Sequence, residues 1–176
     1  IFSLRLPLRQ LAPESACAVA RSLGGREGVR RLLAAAVDMV GEQMASEIVS
    51  VLLVDPEIGD LVVSAARGLD EAAYARRLSY RGGVAGAAIR VGRPLLVDNV
   101  ETDRRIHKQS HPQYFTKSLL CVPIQVAGEI IGVLNVNNKV SREEFDESDR
   151  ALLASLTDRL AAALQRAHAY PDAPSV

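Results

Sequence analysis

The sequence predicts an α+β domain built on an antiparallel sheet, and three observations predict it. Two pairs of apolar runs are each joined by a short turn: residues 47–55 (EIVSVLLVD) return at 61–66, and residues 118–126 (SLLCVPIQV) return at 129–138 (EIIGVLNVNN). Amphipathic helical patterns stand at either end of the set. Strands that arrive as hairpins, with helices before and after them, pair antiparallel and leave one sheet face to the helices.

The elements follow in chain order. Residues 1–10 (IFSLRLPLRQ) alternate imperfectly and contain Pro7, which removes a ladder donor, so they read as a lead-in rather than a central strand. Pro13-Glu14-Ser15 opens a helix of good formers that runs to Leu23 and stops at Gly24-Gly25. From Glu27, residues Val29, Leu32, Leu33, Ala36, Val37, Val40 and Met44 recur at helical spacing, which makes the first helix of the domain proper. Residues 47–55 are too continuously apolar to face water on either side, so this strand lies inside the sheet. Pro56 to Gly59 turns the chain, and residues 69–78 offer a helical turn. Arg81-Gly82-Gly83-Val84-Ala85-Gly86 is a flexible loop entering a helix of small residues at 85–91, which Gly92-Arg93-Pro94 ends. A short strand at 95–98 and a helix from Asp103 to 109 come next, then the hairpin at 118–138 with its turn at Ala127-Gly128. The last helix covers 147–169, with Leu152, Leu153, Leu156, Leu160, Ala163, Leu164 and Ala167 on one face, until Pro171 and Pro174 close it.

Composition limits the function. A chain of 176 residues, 48% hydrophobic, fills one core and not two. Acidic and basic residues balance at 21 each, so no whole-chain field recruits nucleic acid or an anionic membrane, and neither is expected as a partner. Cys17 and Cys121 stand far apart among apolar neighbours without metal-ligand spacing, as reduced, buried thiols of a cytoplasmic protein do. No apolar run approaches the ~20 residues that span a bilayer. Abundant alanine and an excess of arginine over lysine suit a GC-rich bacterial source. The chain starts at Ile1 and its last helix runs almost to the end, so an attached effector domain is expected beyond these residues.

Several pieces, in order, resemble the GAF domain, a sensory and regulatory module of signalling proteins. They are the strand, turn and strand at 51–66, the run GGVAGAAIRVGRPLLVDNV at 82–100, the Asp103 segment, SLLCVPIQVAGEIIGVLNVNNK at 118–139, and Phe145 with Asp149. The resemblance implies a central six-stranded antiparallel sheet, terminal helices on one face, and a small-molecule pocket on the other roofed by residues 81–117. It divides the chain into a lead-in and helical arm (1–25), the domain (26–169) and a tail (170–176). Cyclic-nucleotide-binding members carry Asn-Lys, then Phe, three residues and Asp-Glu. Asn138, Lys139, Phe145 and Asp149 match, whereas Arg150 stands in place of Glu. Lys139 and Asp149 are expected to form a structural ion pair between strand and helix.

Candidate ligand contacts come from the roof. Gly83, Val84, Ala85 and Gly86 would bring backbone N–H groups and a helix N-terminus to an anion. Asp98 and Asn99 offer hydrogen bonds to a base or ammonium, while Asp103 caps the next helix. His107 and His111 are four apart, but Pro112 interrupts a shared helical face, so they read as pocket-rim residues and no metal site is expected. Tyr114 and Ser118 sit where roof meets sheet. Alternation groups Ser118, Leu120, Val122 and Ile124 on one face and Leu119, Cys121 and Pro123 on the other, without saying which face lines the pocket. No catalytic residues are assigned: relatives that reduce free methionine sulfoxide need pocket thiols, and Cys121 stands alone in an apolar strand. The sequence names no cofactor. The last helix has an apolar arc wider than one packing surface needs, because Ala151, Ala154, Ala161 and Ala162 join it, so a homodimer through the first and last helices is expected. The leading function is a ligand sensor that relays to an effector such as a histidine kinase, and the alternative is a ligand-free dimerisation and relay module.

Overall fold

The structure, a computed structural model, describes residues 11–106 and 113–171. The lead-in at 1–10, the candidates His107 and His111, and Pro174 lie outside them. Among the described residues, five helices and six strands follow one another: α1 (Glu14–Leu23), α2 (Glu27–Gln43), β1 (Ser46–Val54), β2 (Leu61–Arg67), α3 (Glu71–Tyr74), β3 (Arg77–Leu78), α4 (Gly83–Val91), β4 (Leu95–Val97), β5 (Leu119–Val126), β6 (Glu129–Lys139) and α5 (Glu147–Ala169). The strands form one antiparallel sheet in the order β3-β2-β1-β6-β5-β4.

The two-residue alternation of the strands sorts the core into two layers. On one face, Val49, Val51 and Leu53 of β1, Leu120, Val122 and Ile124 of β5, and Leu134 and Val136 of β6 pack under α2 and α5. On the other, Leu52, Leu119, Cys121 and Val133 pack with Val84, Ala85 and Ala88 of α4. β1 lies between β2 and β6 and is buried on both sides, which is why its sequence reads as a continuous apolar run. Ala127 (φ 52°) and Gly128 (φ 80°) are both left-handed, the turn whose twist suits two antiparallel strands.

The N-terminal helix is tied to the end of the last one. Ser22 Oγ lies 2.6 Å from His168 Nδ1, and Arg26 donates to the carbonyl of Ala167 at 2.5 Å. Val19 and Leu23 of α1 enter the layer under α5, and Cys17 and Ala20 enter the opposite one.

The helical turn expected within 69–78 is α3, after which the chain extends into the edge strand β3. One local expectation is corrected. The helix expected from Asp103 is not formed in its described part: residues 104 and 105 make a turn, and no helix is present over 103–106. The Asp103 carboxylate accepts the backbone N–H of Arg105 at 2.9 Å and pairs with the Arg105 guanidinium. Arg105 holds the Asp103 carboxyl below the usual range. Among the described residues, no helix is long and apolar enough to cross a membrane.

Candidate functional site

The face of the sheet away from α2 and α5 carries a cavity of about 320 Å³. That is the lower end of the ~300–1,000 Å³ typical of small-molecule sites. Its floor is polar where an interior sheet is normally apolar. Ser50 of β1 stands opposite Asn135 of β6, with Asn135 Nδ2 3.5 Å from Ser50 Oγ, and Asn137 lies two residues further along the same strand. Leu52 and Leu119 complete the floor, and Arg77, Leu78 and Ser79 form one wall. Gly82, Gly83, Val84 and Ala85, the entry to α4, form another wall, and Tyr114 closes a side.

Three features give this cavity chemical character. First, Gly82, the residue before α4, supplies no side-chain cap, so the first-turn N–H groups of the helix are available to an acceptor. Gly83 is left-handed there (φ 62°), and a Cβ on it would point into open space, so the glycine serves the backbone conformation rather than packing. Second, Arg77 is exposed at the wall and has no ion-pair partner among the described residues. Third, Asn137 is only 8% exposed, and its amide makes no hydrogen bond among the described residues. No side-chain nitrogen or oxygen there is sealed without a partner, so that amide opens to the cavity. Its carbonyl oxygen and amino group face the cavity and offer an acceptor and two donors to a polar ligand. Tyr80 supports the wall from behind: it is buried, its hydroxyl donates to the carbonyl of Ile130 at 2.8 Å, and burial pushes its pKa up.

The other predicted contacts divide. Gly83, Val84, Ala85 and Tyr114 line the cavity. Gly86 does not; it is buried, and a Cβ on it would come within 2.1 Å of the Arg81 carbonyl carbon, so it lets the loop pack on its own helix. Ser118 belongs to the α5 face of the sheet, where its hydroxyl accepts the backbone N–H of Phe145 at 3.1 Å. Asp98 is exposed, and Asn99 turns its carboxamide oxygen to the N–H of Glu101 at 2.9 Å; neither lines the cavity. Ser50, Arg77, Ser79, Asn135 and Asn137 were not singled out from sequence. The signal present was polar residues at a spacing of two, Asn135 and Asn137, within an interior strand.

At the end of β6, Lys139 Nζ lies 2.7 Å from Asp149 Oδ2, with both side chains about one-sixth exposed. Asp149 is also the third residue of α5 and closes a reciprocal cap: Asp146 Oδ1 accepts the N–H of Asp149 at 2.9 Å, and Asp149 Oδ2 accepts the N–H of Asp146 at 3.0 Å. The hydrogen bond from Lys139 to Asp149 raises the lysine pKa, and the N–H of Asp149 lowers that of Asp146. The pair fastens strand to helix and lies outside the cavity lining.

A second concavity, about 460 Å³, lies between α2 and α5 and is lined by Leu32, Ala35, Met39, Leu160 and the flanking Arg159 and Arg166. It lacks the convergent polar groups of the sheet-face cavity, and its apolar floor suits a protein surface better than a metabolite. Both cysteines are buried, and burial pushes the Cys17 thiol up, away from thiolate character. Among the described residues, no group of three acidic, histidine or cysteine side chains is placed to hold a metal.

The family model described as GAF domain matches residues 29–164. The dual 3′,5′-cyclic-AMP and -GMP phosphodiesterase 11 of Drosophila melanogaster is 33% identical over 97 residues, which cover 53% of this chain and 7% of that protein. The chain therefore spans a small fraction of that relative. A methyl-accepting chemotaxis protein, residues 122 to 287, superposes with a TM-score of 0.70 at 23% identity over 90% of this chain and 99% of that one. Free methionine-R-sulfoxide reductase from Neisseria meningitidis, in complex with its substrate, gives 0.64 at 23% identity over 91% and 95%. At these identities the superpositions establish a shared fold.

Proposed function

The chain belongs to the GAF domain family, and from that premise we propose that it is a small-molecule-binding sensory domain of a larger, bacterial signalling protein. Its ligand sits on the sheet face under α4. The observation that carries this reading is Asn137, a nearly buried amide whose unpaired groups open to a cavity with Ser50 and Asn135 beside it. Arg77 and the uncapped start of α4 add positive potential on adjoining walls, so the ligand is polar and anionic, carrying a phosphate or carboxylate. A cyclic nucleotide is the first ligand to test: its single anionic phosphodiester suits Arg77 and α4, its base edge suits the carboxamides, and a relative carries cyclic AMP and GMP in its name. The polar floor favours this reading over a ligand-free relay module. An enzymatic reading gains nothing from the buried thiols.

Ligand state passes to an attached effector through the terminal helices. The apolar groove between α2 and α5 is the surface for a second copy of the chain, which would place two α5 helices side by side at the exit of the domain. Sedimentation at micromolar concentration is expected to show dimer; monomer alone would count against that surface. A thermal-shift panel of cyclic nucleotides, nucleotides and small carboxylates tests the sensor reading. At least one anion is expected to raise the midpoint in proportion to the logarithm of its concentration, and a flat response across the panel favours the ligand-free alternative.

A further inference from the structure

We infer that Asn138 is a positioning residue that fixes Tyr114 in the cavity wall and couples it to the start of α5. Asn138 is 2% exposed and left-handed (φ 55°), a conformation that asparagine tolerates better than other residues with a side chain. Its carboxamide makes two hydrogen bonds across the fold: Oδ1 accepts the backbone N–H of Phe115 at 3.1 Å, and Nδ2 donates to the backbone carbonyl of Gln113 at 2.9 Å. Those are the two backbone groups that flank Tyr114. A neighbouring strand would ordinarily hold such a pair. Here one side chain does it, and because one partner is a donor and the other an acceptor, the carboxamide has a single orientation. The peptide planes on both sides of Tyr114 are thus set from β6, and with them the direction in which the tyrosine enters the cavity.

The next residue holds the other end of the connection. Lys139 binds Asp149, whose carboxylate also closes the cap of α5. Left-handed backbone at Asn138 breaks the alternation of β6, so consecutive side chains reach the segment 113–115 and the helix. A third tie joins the same regions, because Ser118 accepts the N–H of Phe145 just ahead of α5. Displacing Tyr114 therefore strains the strand end that sets the pose of α5, and loosening α5 frees Tyr114, as reciprocal coupling requires. The inference deepens the sensor reading by naming its relay, but its test needs no ligand.

Hydrogen exchange of the purified, ligand-free chain read by mass spectrometry tests it in both directions. Asn138→Gly removes both hydrogen bonds while suiting the left-handed backbone. It is expected to speed exchange about fivefold at Phe115, the loss of one hydrogen bond, and also at Asp149 and Arg150 in the first turn of α5. Lys139→Met is expected to speed exchange at Phe115 as well as at Asp149. Asn138→Asp keeps the acceptor for Phe115, loses the donor to Gln113, and is expected to fall between. Amides of β1 report general loosening and are expected to hold their wild-type rates. Where Asn138→Gly also loosens β1, Asn138→Asp carries the comparison. Exchange at Asp149 indifferent to both Asn138 variants, or at Phe115 indifferent to Lys139→Met, overturns the coupling. A domain that bound no ligand at all would still pass or fail this test, so the two readings fall separately.

Discussion

Alanine at position 132 is expected to cost the fold more than about 4 kcal/mol, the range reserved for strain that a core cannot absorb. Gly132 lies in β6 opposite Leu53 of β1 and Ile124 of β5, the centre of the sheet. A Cβ there would stand 2.0 Å from the carbonyl oxygen of Leu52 and 2.9 Å from a methyl of Leu53. The methyl can move, but the carbonyl belongs to the central strand, whose neighbours on both sides hold it in register. β1 and β6 must separate, and the cavity floor is built from those two strands. Urea titration followed by circular dichroism should show the Gly132→Ala chain largely unfolded at the start. Gly128→Ala is the control. Its Cβ meets nothing within 4 Å, only the φ of 80° is strained, and a loss of about 1 kcal/mol is expected.

Lys139→Met is expected to lower stability by about 1.5–3 kcal/mol, the worth of a charge-assisted hydrogen bond with little solvent to replace it. Methionine keeps the aliphatic stem, so the loss reads the ammonium rather than packing. The carboxylate of Asp149 still accepts the N–H of Asp146, so the first turn of α5 loosens without losing its cap. The difference depends on pH with a fixed sign. Asp149 raises the pKa of Lys139 in the folded state, so the stabilisation is complete below the ordinary lysine value of about 10.4 and is lost as pH rises through the folded-state value. Wild-type and Lys139→Met stabilities, measured by urea titration, should therefore differ at pH 7, draw together above about pH 10.4 and converge only once pH passes the raised folded-state value. A difference that persists there would assign the effect to packing.

The sheet and helices were legible because periodicity is a local property. The β-branched runs of β1 and β6, the Ala127-Gly128 turn and the leucine face of α5 each announce themselves within about ten residues. The cavity was less legible because its residues converge from separate strands. Alternation grouped Ser118 with Leu120, but only the packing of α5 shows that this face, and Ser118 with it, lies away from the cavity. Asn135 and Asn137 gain meaning only once Ser50 stands beside them across β1. Arg77 belongs to a two-residue edge strand, too short for a pattern to announce. Gly86 and Asn99 look available in sequence because the partners that occupy them, the backbone of Arg81 and the N–H of Glu101, are close contacts that residue type does not reveal. The strand-to-helix pair was accessible through the family resemblance, whose motif Lys139 and Asp149 match.

The central claim is that an anionic small molecule occupies the sheet-face cavity between Arg77, the start of α4 and Asn137. Calorimetric titration tests it most directly, using compounds identified by mass spectrometry in the supernatant of the denatured, purified chain, or cyclic GMP and cyclic AMP if none is released. The account predicts one site per chain, affinity reduced about tenfold or more by Arg77→Ala and by Asn137→Leu, the loss expected when a charge-assisted or buried hydrogen bond is removed, and affinity unchanged by Asp98→Ala, which stands off the cavity. Binding equally tight in Arg77→Ala and Asn137→Leu would contradict it.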